Sequence, residues 1–260
     1  METLEEIYSM NDMNDNYDKF DEYATKYDLN EKMIAYKYKH SYRVVHECDE
    51  IAFTLKLEED DTYLANLIGL LHDIARFEQW KQYKSFSDLK TVDHADYGCK
   101  ILFEDGLIKD YKLYEKDYEL VRRAILNHNK YAIDGEGMDE NMLMHAKIIR
   151  DADKLDILYS FANKSVLELD EDLDSGISDK VHEMFFEHKT IDKKYVKNKN
   201  DIIVNHIALV FDLNFKYSIG TVLDKKYLEN ILKNSQNKEL FKPYVDEAIK
   251  YLKGKMKDVR

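Results

Sequence analysis

The chain contains few of the residues that interrupt helices or form turns. Its 260 residues include one proline and eight glycines. Architectures made of many short strands need frequent turns, which glycine and proline commonly supply. The scarcity of both residues therefore predicts long helices, and we expect an all-α fold.

Apolar residues recur at steps of three or four in several segments, which places them on one face of a helix. These faces are Tyr36, His40, Val44, Cys48 and Ile51; then Leu64, Ile68, Leu71 and Ala75; and then Tyr118, Val121, Ile125 and His128. Residues 144–161 are also predicted to be helical, whereas residues 78–92 lack periodicity and are predicted to form a loop. Either Thr91 or Asp93 could cap the helix that follows, which would place His94 in its first turn.

Four of the nine histidines, together with two aspartates, lie in or at the start of segments predicted to be helical. They are His40 in KHSYRV, His72 and Asp73 in LLHDIARF, His94 in TVDHADYG, His128 in ILNHNK and Asp153 in RDADKLD. A single histidine on an apolar helix face usually has a structural role, but a buried His-Asp pair is costly unless another charge compensates it. Imidazole and carboxylate groups suit a divalent first-row metal, and helices that direct them inward can build a metal centre. The set as a whole therefore indicates a metal site.

The ordered pattern H…HD…H…H…D, with the local sequences HSYRV, GLLHDIARF and DADKLDIL, resembles the HD-domain superfamily of metal-dependent phosphohydrolases across roughly residues 36–160. The resemblance implies an HD-domain helical bundle with additional C-terminal helices. It also implies a set of metal ligands, which are His40, His72, Asp73, His94, His128 and Asp153. The ions would be divalent and two in number, drawn from Fe, Mn, Co, Ni, Zn and Mg, with Asp73 as the bridge and His94 and His128 on the second ion.

The resemblance implies a reaction as well. Two metal ions lower the pKa of a bridging water and hold a phosphoryl oxygen for in-line attack. We therefore expect a phosphohydrolase that cleaves a phosphoester or phosphoanhydride bond of a nucleotide or another small phosphorylated metabolite. Asp73, Arg76 and Lys154 are the catalytic candidates, and Arg43, Arg76 and Lys154 are the candidates for substrate binding. The structural alternative for each of the three basic residues is a salt bridge within the bundle.

Two other functions fit the same residues. An HD-fold di-iron oxygenase acting on a small organic substrate would use the same four histidines and two aspartates. A non-catalytic HD protein would instead sense a nucleotide through its C-terminal helices. Ligand spacing alone does not separate the oxygenase from the hydrolase.

Composition limits the partners and the location. A net charge of −13 argues against non-specific binding of nucleic acid, and no apolar run is long enough to span a membrane. Cys48 and Cys99 are expected to be buried thiols in a reducing compartment, and the acidic N-terminal segment lacks the apolar core of a signal peptide. We therefore expect a cytoplasmic protein, with an HD metal-binding domain over residues 1–164 and a helical extension over residues 165–260 packed on that domain. The sequence leaves the oligomeric state open.

Overall fold

The computed structural model describes residues 7–164, 171 and 173–258. All regular secondary structure within these ranges is helical, which confirms the predicted all-α fold. The chain divides into two compact units, Met1–Ala152 and Asp153–Arg260. No helix in the described ranges is long and apolar enough to cross a membrane.

The first unit contains six complete α-helices among its described residues and the start of a seventh. They are α1 (Met10–Ala24), α2 (Lys32–Leu55), α3 (Glu59–Leu71), α4 (Ala75–Tyr83), α5 (His94–Cys99), α6 (Tyr118–Asn127) and α7 (Glu140–Ala162), the last of which continues into the second unit. Ser9 caps α1, because its side chain accepts the amide of Asp12 while the Asp12 side chain accepts the amide of Ser9. Local capping and the apolar stripes together account for these helices.

The close packing of α2 against α3 depends on Gly69. A Cβ atom at this position would lie 3.0 Å from the Sγ of Cys48 and 3.2 Å from the Cα of Val45. The missing side chain thus lets the two helix backbones approach each other. This crossing matters for the site, because α2 carries His40 and α3 leads into His72.

The structure corrects two of the predicted helix boundaries. The apolar face that was predicted to run from Leu64 to Ala75 is interrupted, because α3 ends at Leu71 and Ala75 begins α4. Residues 78–83 were predicted to be a loop, but they belong to α4. Phe77 and Gln79 are fully buried there, so tertiary packing stabilises a helix whose sequence lacks an obvious apolar period.

The second unit contains the end of α7 and five further α-helices among its described residues. These are α8 (Asp179–Phe186), α9 (Lys199–Ile207), α10 (Lys216–Asp224), α11 (Tyr227–Asn234) and α12 (Lys238–Asp258). Their apolar faces share one buried cluster that includes Leu158, Phe185 and Phe241. The boundary predicted between residues 164 and 165 adjoins residues 165–170, which lie outside the described residues, so the predicted division into an HD domain and a packed extension stays a prediction.

Candidate metal centre

The four histidines singled out in the sequence surround one carboxylate, that of Asp73. Its Oδ2 lies 3.3 Å from His40 Nε2 and 3.5 Å from His72 Nε2. Its Oδ1 lies 3.3 Å from His94 Nε2 and 3.8 Å from His128 Nε2. All five residues are buried, each at most 3% exposed. Each oxygen of Asp73 therefore faces its own pair of histidines.

The ends of helices position most of these side chains. His40 lies on the buried face of α2. His94 is the first residue of α5, and the N-cap of this helix is Asp93, one of the two predicted candidates. His72 and His128 are the C-cap residues of α3 and α6. The His-Asp doublet thus lies in the turn between α3 and α4 rather than within one helix.

Hydrogen bonds fix the ring orientation of three of the histidines. The Nδ1 of His72 donates to the carbonyl of Gly69 at 2.8 Å, and the Nδ1 of His128 donates to the carbonyl of Ile125 at 2.7 Å. Carbonyls in the last turn of a helix lack partners within that helix, so a C-cap histidine can satisfy one of them. The Nδ1 of His94 donates to the Oδ2 of Asp88 at 2.8 Å.

These bonds determine which ring nitrogen is available to a metal. Carbonyl and carboxylate oxygens only accept, so in the neutral imidazole Nδ1 carries the hydrogen and Nε2 carries the lone pair. Burial, followed by the nearby Arg76 guanidinium, lowers the pKa of His94 to about 3 and keeps its ring neutral. The neutral tautomers of His72, His94 and His128 therefore direct an Nε2 lone pair toward Asp73, as metal binding requires.

The spacing of the ring nitrogens also suits a cation. The Nε2 atoms of His94 and His128 are 2.8 Å apart, and those of His40 and His72 are 3.2 Å apart. Two lone pairs at 2.8 Å repel each other unless a positive charge lies next to both. Two groups, His40–His72–Asp73 and Asp73–His94–His128, each offer one ligand atom per residue with all three atoms within 4.8 Å of one another. Their donor chemistry fits a divalent metal ion.

The Asp73 carboxylate is held in its charged form. Burial alone would raise its pKa, but the Lys37 ammonium and then His72 outweigh burial and hold the pKa of Asp73 well below its usual range. The Nζ of Lys37 lies 2.5 Å from Oδ2, and the Nε of Arg76 lies 3.4 Å from Oδ1. Lys37 was not identified as a site residue from the sequence, although it lies three residues before His40 and so occupies the same face of α2.

Arg76 and Asp88 connect the segment after α4 to the centre. One terminal nitrogen of Arg76, Nη1, donates to the Oδ1 of Asp88 at 2.9 Å and to the carbonyl of Phe86 at 2.8 Å. Asp88 therefore contacts both Arg76 and His94 through its two oxygens. Sequence reasoning missed Asp88 because it lies in an aperiodic segment with no motif around it.

A buried arginine performs a similar task next to His128. Arg150 on α7 is 2% exposed and donates through Nη1 to the carbonyl of Asn127 at 2.6 Å and to that of Lys130 at 2.7 Å. Lys130 in turn pairs with Asp93 at 2.9 Å. The segment that carries His128 is thereby tied to the N-cap of α5, and neither Arg150 nor Lys130 was identified from the sequence.

The remaining predicted residues have other surroundings. Arg43 lies on α2 with its guanidinium 5.8 Å from the centroid of the Tyr36 ring. Lys154 is 5% exposed and pairs with Asp212 at 2.9 Å within the second unit. A salt bridge of this kind was the predicted structural alternative to substrate binding by Lys154. Asp153 is the first residue of the second unit and lies half-buried on α7.

Comparison with known families agrees with the order of these residues. The sequence model of the HD-domain family matches residues 38–158, a range that includes His40, the doublet, His94, His128 and Asp153. This chain contains an HD domain. The HD superfamily comprises metal-dependent hydrolases that bind divalent ions and act on small phosphorylated substrates. Comparison with curated proteins and with solved structures gives no significant match.

Proposed function

We propose that this HD-domain protein is a metal-dependent phosphohydrolase that cleaves a phosphoester or phosphoanhydride bond of a nucleotide or another small phosphorylated metabolite. One observation carries the proposal. The buried Asp73 carboxylate directs each of its oxygens to a separate pair of histidines. Bridging carboxylates of this kind are typical of centres that hold two metal ions.

The proposal assigns ligands to both ions. His40, His72 and Asp73 would hold one, with Asp153 as a further ligand at the family position. Asp73, His94 and His128 would hold the other. Because four imidazole nitrogens contribute, Fe, Mn, Co, Ni and Zn suit the set better than Mg, which prefers oxygen ligands.

When bound, such ions would activate a water molecule and polarise a phosphoryl oxygen. The role of Asp73 is to hold both ions. Arg76 is suited to the substrate, because its Nε is buried and has no hydrogen-bond partner among the described residues. A phosphoryl oxygen could accept a hydrogen bond from this Nε, and the guanidinium group of arginine matches the geometry of phosphate well.

Other cations would complete the phosphate site. The Lys37 ammonium is next to Asp73 in the buried centre, and it would be attracted to a substrate phosphate placed there. Arg43 and Lys154 remain proposed substrate-binding residues. Of these, Lys154 would have to exchange its pairing with Asp212 for the phosphate.

The test is hydrolysis of a panel of nucleotides and of an aryl phosphate by metal-loaded protein, with phosphate release as the readout. We expect Asp73→Asn to abolish turnover, whereas Asp96→Asn, an exposed aspartate near the same centre, should retain it. Circular dichroism of both variants establishes that they are folded. Full metal-dependent hydrolysis by a folded Asp73→Asn variant would overturn the proposal.

The histidine-rich ligand set also favours a second candidate, a di-iron oxygenase acting on a small organic substrate, because imidazole suits iron. Metal-loaded protein that consumes oxygen with an organic substrate, but releases no phosphate from any nucleotide, would favour this alternative. Binding of a nucleotide without turnover under any metal would instead favour a nucleotide sensor.

A further inference from the structure

A second concave site lies on the first unit, lined by α1, α2 and the start of α3. This α1–α3 cavity has a volume of about 620 Å³, which falls in the range of small-molecule binding sites. None of the proposed metal ligands lines it. The cavity is therefore distinct from the centre around Asp73.

The floor of the cavity is aromatic and apolar. The rings of Tyr8 and Tyr63 stack with their centroids 4.1 Å apart, and both residues are buried together with Met13. Tyr17 and Tyr42 form a second stacked pair at 5.5 Å. The faces of aromatic rings carry a negative quadrupole and attract cations.

The rim of the cavity carries negative charge. Asp49 and Glu59 line it and are exposed. The Oδ1 of Asp49 accepts a hydrogen bond of 3.0 Å from Asn66, which holds the carboxylate in place. Burial and then the Asp49 charge raise the pKa of Tyr17, so the carboxylate and that ring share one electrostatic environment. No lysine or arginine occurs among the described residues that line the cavity.

We propose that the α1–α3 cavity binds a small organic cation. Its apolar body would pack on Tyr8, Met13 and Tyr63, and its ammonium group would lie near Asp49 and Tyr17. A phosphorylated molecule does not suit the cavity, because the rim carboxylates repel anions. This inference does not depend on the proposed hydrolase function, since it uses other residues and the opposite charge.

The experiment compares three probes of similar size by isothermal titration calorimetry. They are phenethylamine as the cation, phenethyl alcohol as the neutral analogue and phenylacetate as the anion. A ligand of this size should bind in the millimolar range. A cation–π contact and an exposed ion pair together predict that the amine binds roughly tenfold tighter than the alcohol, and that phenylacetate binds most weakly.

Two variants and a matched control locate the site. Asp49→Asn keeps an acceptor for Asn66 but removes the charge, and Glu59→Gln removes the other rim charge. Each should reduce the preference for the amine over the alcohol several-fold. Glu50→Gln makes the same charge change on α2 outside the lining and should leave the preference unchanged.

Binding of the amine should also persist in the presence of EDTA, because the metal centre takes no part. Three results would overturn the proposal. These are equal affinities for amine and alcohol, the absence of saturable amine binding, and a preference that survives in folded Asp49→Asn and Glu59→Gln variants.

Discussion

The Asp88 carboxylate should determine the affinity of the proposed second metal position, at Asp73, His94 and His128. Its Oδ2 receives the Nδ1 hydrogen of His94 at 2.8 Å, and its Oδ1 receives a hydrogen from Arg76 at 2.9 Å. An asparagine has one acceptor oxygen and one amide nitrogen. In Asp88→Asn, one of these two bonds is therefore lost, or His94 changes tautomer and loses the Nε2 lone pair that faces Asp73.

The size of the effect follows from the geometry. The side chain of Asp88 is 11% exposed, so water replaces the lost bond poorly. Removal of a carboxylate that orients a metal-binding histidine typically weakens metal affinity by about 10–100-fold, or roughly 1.4–2.7 kcal/mol. The affinity at His40 and His72 should change much less, because the Asp88 partners His94 and Arg76 lie at the Oδ1 of Asp73, whereas His40 and His72 lie at its Oδ2.

Competition of the protein with a fluorescent chelator for Mn²⁺ or Co²⁺ resolves the two binding steps. The matched control is Asp96→Asn, which alters an aspartate of α5 whose side chain is 60% exposed and pairs with Lys130. We expect one weakened step in Asp88→Asn and two unchanged steps in the control. Two unchanged steps in a folded Asp88→Asn variant would refute the view that this carboxylate orients His94.

Three further predictions concern the packing of the helices and the buried charged or ionisable groups. Gly69→Ala should lower the free energy of unfolding, measured in urea, by about 1–2 kcal/mol through crowding against α2. Gly254 has open space around it, so Gly254→Ala should raise the free energy of unfolding by about 0.5–1 kcal/mol. Equal effects of the two substitutions would contradict the close crossing of α2 and α3. Lys37→Met should destabilise metal-free protein by roughly 3–5 kcal/mol, because it leaves the buried Asp73 charge without its ammonium. Saturation with Mn²⁺ should reduce that loss in the same urea titration. A loss of stability that metal does not alter would count against ions bound at Asp73. Burial raises the pKa of Cys99 to about 12, from the ordinary thiol value of 9. DTNB at pH 9 should therefore label Cys99 only after unfolding. Rapid labelling of folded protein would show instead that this thiol is accessible.

The helices could be predicted largely from local signals. Asp93 was one of two N-cap candidates, and its carboxylate does accept the amides of Ala95 and Asp96. The end of α3 at Leu71 was missed because apolar spacing continues to Ala75 without a glycine or proline between them. Periodicity reports which residues are buried, but it does not show where one helix stops and the next begins.

The histidines were identified because family order and helical spacing agree. Their neighbours were harder to find. Asp88 reaches His94 from six residues away through an irregular segment, and Arg150 reaches the carbonyl of Asn127 across 23 positions. Such contacts arise only when the helices pack, so no local pattern encodes them. Lys37 was the exception, since its spacing from His40 was available in the sequence.

The central claim is that Asp73 and the four histidines hold two metal ions. Metal content per chain, measured by plasma mass spectrometry on protein purified without chelator and then equilibrated with Mn²⁺ or Co²⁺, tests it most directly. We expect two ions per chain in the unaltered protein and one in a folded His94→Ala variant. One ion per chain in both proteins would contradict a binuclear centre, and no uptake of any first-row ion would contradict a metal site altogether.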